Sequence, residues 1–190
     1  MPTSDNRDRV KHLGPFAANL PLGNLNRLGG PTFGASASAR NREITWKDLE
    51  WFQSIAKVPV LLKGILHPAD AEEAVKNGAA GIIVSNHGGR VLDTVPATID
   101  ALPRVIDRVA GRIPVLMDGG IRRGTDVLKA LAFGANAVLI GRPYLYGLAV
   151  NGAEGVRHVV EILRTELEAA MALAGRTSIA AIDRSVLWPQ

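Results

Sequence analysis

Four short apolar runs, each followed by a polar turn and a helical pattern, constrain the fold of this chain more than any other feature. The runs are rich in β-branched residues, and they are Val58–Leu62, Ile82–Val84, Ile113–Met117 and Ala137–Ile140. Because they show no polar alternation, they predict strands buried on both faces. The repeated order of strand and helix, with short connections, predicts an α/β fold in which helices cover a parallel sheet.

Start and stop signals predict the helices between these runs. Thr45 followed by Asp48 is typical of a capped helix start, and Asn77–Gly78 is typical of a helix end. The predicted helices are Trp46–Ile55, Pro68 to Asn77, Ile99–Val109 with a bend at Pro103, about Thr125 to Gly134 and about Glu154 to Ala174, followed by a short turn at Ile179–Ile182. Residues 1–43 are rich in Gly and Pro without periodicity, which predicts an irregular arm, either a lid or a floppy terminus.

Two architectures fit this order of elements, a doubly wound sheet and a TIM (β/α)₈ barrel. Polar residues follow all four strands, at the face where barrel enzymes carry their chemistry, and no Gly-x-Gly-x-x-Gly follows a strand. A full barrel needs eight strands and about 250 residues, and its phosphate site usually follows strands seven and eight. Here the turns rich in Gly and Arg follow the third and fourth strands. We therefore expect strands five to eight, the C-terminal half of a barrel.

Composition is that of a globular protein with one core. The chain has 190 residues, 47% of them hydrophobic and 21% charged, and we expect one half-barrel domain over residues 44–190. No apolar run is long enough to span a bilayer, and the polar start is unlike a signal peptide. The absence of cysteine excludes disulfides and thiolate chemistry and fits a reducing compartment. The sequence therefore predicts a cytoplasmic location.

A net charge of +4 raises the question of nucleic-acid binding. However, the 22 Lys and Arg residues do not form runs, and aromatic residues make up only 5% of the chain, too few for a base-stacking platform. Part of the positive charge lies in glycine-containing turns, at Arg90, Arg122, Arg123 and Arg142. We therefore expect phosphate and carboxylate ligands, and neither nucleic acid nor a membrane as partner.

The turn after the second run, Ser85–Arg90, carries the strongest signal of catalysis. His87 stands between Asn86 and two glycines, an uncrowded position that suits a general base near neutral pH. Arg90 at the end of this turn is predicted to clamp an anion. The other histidines have plain structural interpretations: His12 lies in the arm, His67 at a helix start and His158 on a helix face. No two histidines have metal-ligand spacing with a carboxylate, so no metal site is predicted.

A phosphate site is predicted after the third and fourth runs. Backbone N–H groups and cations stand there before helix starts, at Asp118, Gly119, Gly120, Ile121 and Arg122 and again at Gly141 and Arg142. A single pair of glycines often only permits a tight turn, but two adjacent strand ends with the same chemistry favour anion binding. Lys63 ends the first run, where its ammonium group either meets an anion or reaches solvent. The residues alone leave both possibilities open.

Four motifs thus stand in order at four strand ends, and they are Leu62–Gly64, Ser85–Arg90, Asp118–Gly124 and Gly141–Pro143. Together they resemble the FMN-dependent α-hydroxy-acid oxidases and dehydrogenases, over about Thr45 to Leu187. The resemblance implies FMN as the cofactor and a small (S)-2-hydroxy acid as the substrate, oxidised to the 2-oxo acid. It also implies that the family's first four strands, which help to shape the substrate pocket, have no counterpart in this chain.

The same resemblance implies a role for each matching residue. His87 would take a proton from the substrate, and Arg90 would hold the substrate carboxylate in a bidentate clamp. Lys63 would lie near flavin N1 and the C2 carbonyl, and Ser85 would hydrogen-bond the flavin. The positions that would bind the ribityl chain and the phosphate are Asp118, Gly119, Gly120, Ile121, Arg122, Gly141 and Arg142.

Two other functions stay open from the sequence. One is a half-barrel without catalysis of its own, which binds FMN phosphate weakly or only pairs with another subunit. The other is a different phosphate-binding flavin barrel, such as a type 2 isopentenyl-diphosphate isomerase, which fits Asp118–Gly120 but not His87 with Arg90. Four strands leave two sheet edges and one apolar face uncovered. We therefore expect a homo-oligomer or pairing with a complementary half-barrel.

Overall fold

The structure, a computed structural model, describes residues 44–188, so the predicted arm lies outside the described residues. The elements are α1 (Trp46–Ile55), β1 (Leu61–Ile65), α2 (Pro68–Lys76), β2 (Gly81–Val84), α3 (Thr98–Val109), β3 (Val115–Asp118), α4 (Gly124–Ala132), β4 (Ala137–Leu139) and α5 (Arg142–Leu173), followed by 3₁₀ turns at Ile179–Ala181 and Arg184–Val186. The predicted alternation of strands and helices is confirmed. Within residues 44–188, no helix combines the length and the apolar character needed to cross a membrane.

The four strands form one parallel sheet in the order β1-β2-β3-β4. Lys63 pairs with Ile83 in the first ladder, and Asp118 pairs with Leu139 in the last. A doubly wound sheet reverses its strand order near the middle, whereas these four strands follow one another without reversal. Because crossovers between parallel strands are right-handed, winding in one direction places the connecting helices on one side of the sheet.

The two faces of the sheet differ in burial. On one face, which we call the covered face, four side chains are at most 2% exposed and join the core formed with α2 and α3; they are Ile82, Val84, Val115 and Met117. The other face, which we call the open face, carries half-buried or exposed residues: Lys63, Ile83, Leu116 and Asp118. Within residues 44–188 the strands are therefore buried on one face only, and the uncovered face expected for four strands is present. The described helices cover one side of the sheet, and alternate residues face opposite sides.

The first strand lies three residues later than the sequence predicts, over Leu61–Ile65 instead of Val58–Leu62. Pro59 has no N–H group to donate to a ladder, which disfavours pairing before it. Gly64 has a φ of 100°, and the pairing with β2 shifts register between Lys63 and Ile65, as in a β-bulge. This irregularity lets the strand continue past the glycine. Lys63 therefore lies within β1 and not at its end.

The last helix begins twelve residues before the predicted start at Glu154. It starts at Arg142, directly after Gly141, with Pro143 in its first turn, where proline is favoured. Its first part was missed because residues 144–150 contain no charged residue and so lack an amphipathic pattern. Asn151 and Gly152 are not helical, so the helix kinks between two parts that pack closely where Gly147 contacts Gly155. Pro103, by contrast, lies inside α3, which continues through it.

Local start signals are confirmed at α1 and α2. The backbone N–H group of Thr45 donates to the Asp48 carboxylate at 2.6 Å, and this bond holds the pKa of Asp48 below its usual range. His67 precedes Pro68, and its Nδ1 atom accepts a hydrogen bond from the N–H group of Ala69 at 3.1 Å. The plain interpretation of His67, at a helix start, is therefore confirmed.

Candidate functional site

The carboxyl ends of the strands surround one cavity of about 620 Å³. Every site residue predicted from the sequence lines this cavity except Ser85, and these residues are Lys63, His87, Arg90, Asp118, Gly119, Gly120, Ile121, Arg122, Gly141 and Arg142. Parallel strands end at the same edge of a sheet, so residues far apart in the chain meet there. The cavity therefore holds an imidazole group, several cations and one carboxylate.

Three strands are joined at the base of the cavity by one polar network. Lys63 Nζ lies 2.7 Å from Asp118 Oδ2 and donates to Ser85 Oγ, also at 2.7 Å. The side chains of Lys63 and Asp118 are 42% and 17% exposed, so solvent weakens their ion pair only in part. Of the two possibilities left open for Lys63, the structure supports an ammonium group paired with an anion, here a carboxylate of the same chain.

This network contains an acceptor and a donor that the described residues leave unused. Asp118 Oδ1 is buried and has no hydrogen-bond partner among them. Ser85 is 2% exposed, and its Oγ accepts bonds from Lys63 Nζ and from the backbone N–H group of His87, the latter at 3.1 Å. A hydroxyl that accepts twice still has its own proton to donate. A ligand with both hydroxyl groups and acceptor atoms would satisfy both groups.

His87 lies at the mouth of the cavity in an unusual backbone conformation. Its φ of 56° and those of Gly88 and Gly89, 69° and 73°, are all left-handed. Glycine adopts this region freely, whereas a histidine there needs support from its surroundings. Arg142 contacts the turn, since its Nη2 atom donates to the Gly88 carbonyl at 3.3 Å. His87 and Arg90 are both exposed, so both side chains can meet a ligand.

The predicted phosphate site is partly occupied by carboxylates of the chain itself. Asp126 accepts bonds from the backbone N–H groups of Arg122 and Arg123 at 3.0 and 2.9 Å. Glu166 of α5 accepts from the N–H group of Gly124 at 2.9 Å. These N–H groups at the start of α4 are therefore engaged, whereas Arg122 and Arg142 are among the cationic residues that line the cavity.

Sequence reasoning missed Asp126, Glu166 and the apolar part of the cavity wall. The spacing of Asp126, three residues after Arg123, is that of a capping box and could have identified it. Glu166 gave no local signal, because it lies 42 residues from its partner Gly124. The apolar wall is formed by Leu139, Ile140, Pro143, Leu145 and Tyr146. No group of His, Asp and Glu residues able to hold a metal ion occurs within residues 44–188.

Comparison with known protein families agrees with these motifs. Residues 21–189 match the model of the FMN-dependent dehydrogenase family, so the chain belongs to that family. The match begins at residue 21, so it includes part of the segment predicted as an irregular arm. Part of that segment is therefore family sequence.

Individual relatives carry related names. A 2-hydroxyacid oxidase of Dictyostelium discoideum is 55% identical over 166 residues, which are 87% of this chain and 43% of that protein. An L-lactate oxidase of Nostoc sp. is 56% identical over 151 residues, 80% of this chain and 41% of that protein. A structure of mandelate oxidase with a monooxide FMN adduct is 50% identical, with a TM-score of 0.72 over 74% of this chain and 45% of that chain. The chain thus spans less than half the length of these relatives.

Proposed function

We propose that this chain carries the cofactor-binding and catalytic residues of an FMN-dependent oxidoreductase that oxidises small (S)-2-hydroxy acids. The observation that carries the proposal is the single cavity in which His87, Arg90, Lys63 and Asp118 meet. The reaction is oxidation of the 2-hydroxy acid to the 2-oxo acid. Relatives named as oxidases of 2-hydroxy acids and L-lactate support this reaction class.

The residues present fit FMN. The buried, unpartnered Asp118 Oδ1 suits a hydroxyl group of the ribityl chain. Ser85 does not itself line the cavity, but its hydroxyl group bonds Lys63 at the cavity wall and has one proton left for an acceptor atom of the flavin ring. Lys63 places a positive charge beside the Ser85 hydroxyl group, and this charge would stabilise negative charge on the flavin ring. Arg122 and Arg142 suit the phosphate, together with the backbone of Gly119, Gly120, Ile121 and Gly141. When bound, FMN supplies the acceptor for the two electrons that leave the substrate.

The remaining two side chains act on the substrate. Arg90 holds the carboxylate with its planar guanidinium group, which matches a carboxylate in two parallel hydrogen bonds. His87 takes a proton from the substrate, from either the hydroxyl group or the α-carbon, because imidazole accepts protons near neutral pH. The two residues are three positions apart on one exposed turn, so one small acid can contact both.

We further propose that the four strands are strands five to eight of a TIM barrel. The strand order without reversal, the open face and the two outer strands β1 and β4 support this. The relatives, more than twice as long as the matched region, leave room for the other half. A complementary half-barrel or a second copy of this chain would then cover the open face, and analytical ultracentrifugation tests for self-association.

The second candidate function is cofactor binding without catalysis by this chain alone. The open face favours it, because Ile83 and Leu116 are only half-buried there. Apart from its function, we propose that the chain is located in the cytoplasm. Fluorescence imaging of the tagged chain in its own cells tests this location. One relative, from Oryza sativa, is named a peroxisomal (S)-2-hydroxy-acid oxidase.

One experiment separates the two functions. The purified chain is titrated with FMN and then mixed anaerobically with glycolate, lactate or mandelate, while the flavin absorbance at about 450 nm is followed. Binding followed by bleaching supports the oxidase, binding without bleaching supports the second function, and no binding contradicts both. We expect Arg142→Ala to weaken FMN binding roughly 10- to 100-fold, the cost of a lost charge-assisted hydrogen bond.

Variants then test the division of roles. Arg122→Ala should weaken FMN binding as Arg142→Ala does. His87→Ala should keep FMN affinity and abolish bleaching, because the imidazole acts on the substrate and not on the cofactor. The control is Arg157→Ala, which removes a guanidinium group paired with Glu154 and Glu161 outside the cavity. Loss of FMN binding in the His87 variant would contradict the assignment.

A further inference from the structure

The turn that presents His87 is held by two consecutive side chains of the same chain. Ser85 Oγ accepts a bond from the N–H group of His87 at 3.1 Å, and Asn86 Oδ1 accepts from the N–H group of Gly88 at 3.0 Å. The peptide groups on both sides of the histidine are therefore fixed by hydrogen bonds that their N–H groups donate to side chains. The carbonyl of Asn86 also accepts from the N–H group of Gly89 at 3.0 Å.

Asn86 also connects the turn to the chain before α3. Its Nδ2 atom donates to the Pro96 carbonyl at 3.4 Å, so one amide group bonds both ends of the segment from Gly88 to Pro96. Its Oδ1 atom lies only 3.2 Å from the position that a Cβ atom would take on Gly119. The amide is therefore fitted against the turn after β3 as well.

The side chain of Asn86 lies against a different cavity from His87. It lines a smaller cavity of about 380 Å³, together with Ala97, Thr98 and Ile99 at the start of α3. It does not line the larger cavity that contains His87, Lys63 and Asp118, although the two cavities share walls at Gly88, Gly119, Gly120, Ile121 and Arg142. Asn86 therefore contacts the turn from the smaller cavity and does not line the cavity into which His87 and Arg90 project.

From these contacts we infer that Asn86 is a positioning residue for the base of the reaction. It holds the left-handed turn at Gly88 so that the imidazole of His87 stays directed at the substrate. The inference rests on the proposed function, in which His87 takes the proton. In this inference Asn86 acts on the reaction through His87, whereas Ser85 also contacts Lys63 and so combines two roles.

Two variants of the full chain test whether the amide of Asn86 holds the turn and thereby positions His87. Asn86→Ala removes both bonds of the amide, and Asn86→Asp keeps the oxygen that accepts from Gly88. The matched control is Asn77→Ala, because Asn77 Nδ2 donates to the Glu73 carbonyl at 2.8 Å, at the end of α2 and outside both cavities. The measurements are amide hydrogen exchange at Gly88 by NMR, FMN affinity, and the rate of flavin reduction by whichever of glycolate, lactate and mandelate reduces the wild type fastest, at a saturating concentration.

In Asn86→Ala we expect exchange at Gly88 to become roughly tenfold faster, as for one lost hydrogen bond, and reduction to slow by roughly the same factor. FMN affinity should stay within about twofold of wild type, since no FMN contact is removed. Asn86→Asp should keep most of the protection at Gly88 and most of the reduction rate. Asn77→Ala should change neither.

Unchanged exchange at Gly88 in Asn86→Ala would overturn the inference, as would a loss of FMN affinity as large as that of Arg142→Ala. The inference would also be overturned if Asn86→Asp reduced the flavin slowly while the Gly88 amide stayed protected from exchange, because the turn would then be held without any benefit to His87. If the wild-type chain binds FMN but none of glycolate, lactate and mandelate reduces it, the proposed function fails. Exchange at Gly88 then still decides whether Asn86 holds the turn.

Discussion

The covered and open faces of the sheet are built from alternate residues of the same strands, yet they serve different purposes. In β3, Val115 and Met117 are 2% and 1% exposed, whereas Leu116 and Asp118 are half-buried on the opposite side. The covered face makes the core, and the open face ends in the polar network of Lys63 and Asp118. A strand of four residues thus contributes to stability and to the site independently, because neighbouring side chains point in opposite directions.

The largest effect should come from the covered face. Met117→Ala leaves a cavity in the core, and we expect it to lower the free energy of unfolding by about 2–5 kcal/mol. Leu116→Ala, one residue away on the open face, should cost clearly less, because its side chain is already half-exposed. Urea denaturation followed by circular dichroism measures both. Equal losses would mean that the two faces are equally packed in solution.

A substitution on the open face should lower the affinity for FMN more than it lowers stability. Asp118→Asn removes the charge that pairs with Lys63, and we expect FMN to bind roughly 10-fold more weakly, because a charge-assisted bond is lost. Stability should change little, since the pair is partly exposed. Flavin fluorescence quenching measures the affinity. Asp107→Asn is the control, because Asp107 pairs with Arg184 on the outer surface. A large loss of stability in Asp118→Asn would show that the network is structural.

The smallest effect concerns the helices beside the covered face. Arg112 bonds Glu72 with two nitrogens, at 3.1 and 2.6 Å, and lowers the pKa of the Glu72 carboxyl. A lowered folded-state pKa means that the stabilisation is present above the ordinary value of 4.5 and is lost as the pH falls through the folded value. Wild type should therefore lose slightly more stability than Glu72→Gln between about pH 5 and about pH 3. Parallel pH profiles of the two proteins would contradict this.

Much of the fold and the site was predictable because the signals are local. The capped start at Thr45, the alternation of strands and helices, and the polar turns after the strands each depend on a few neighbouring residues. Parallel strands bring their ends to one edge, so the shared cavity followed from the order of elements. The start of α5 at Arg142 was missed, since its first residues lack an amphipathic pattern.

The tertiary structure alone decided how these groups pair and which side of the sheet is buried. By itself, the sequence determined the elements and the side chains at their ends, through propensity, capping and turn chemistry. The ion pair of Lys63 with Asp118 joins residues 55 positions apart, and the one-sided burial depends on where whole helices pack. Such contacts arise between segments distant in the chain, and no local pattern records them.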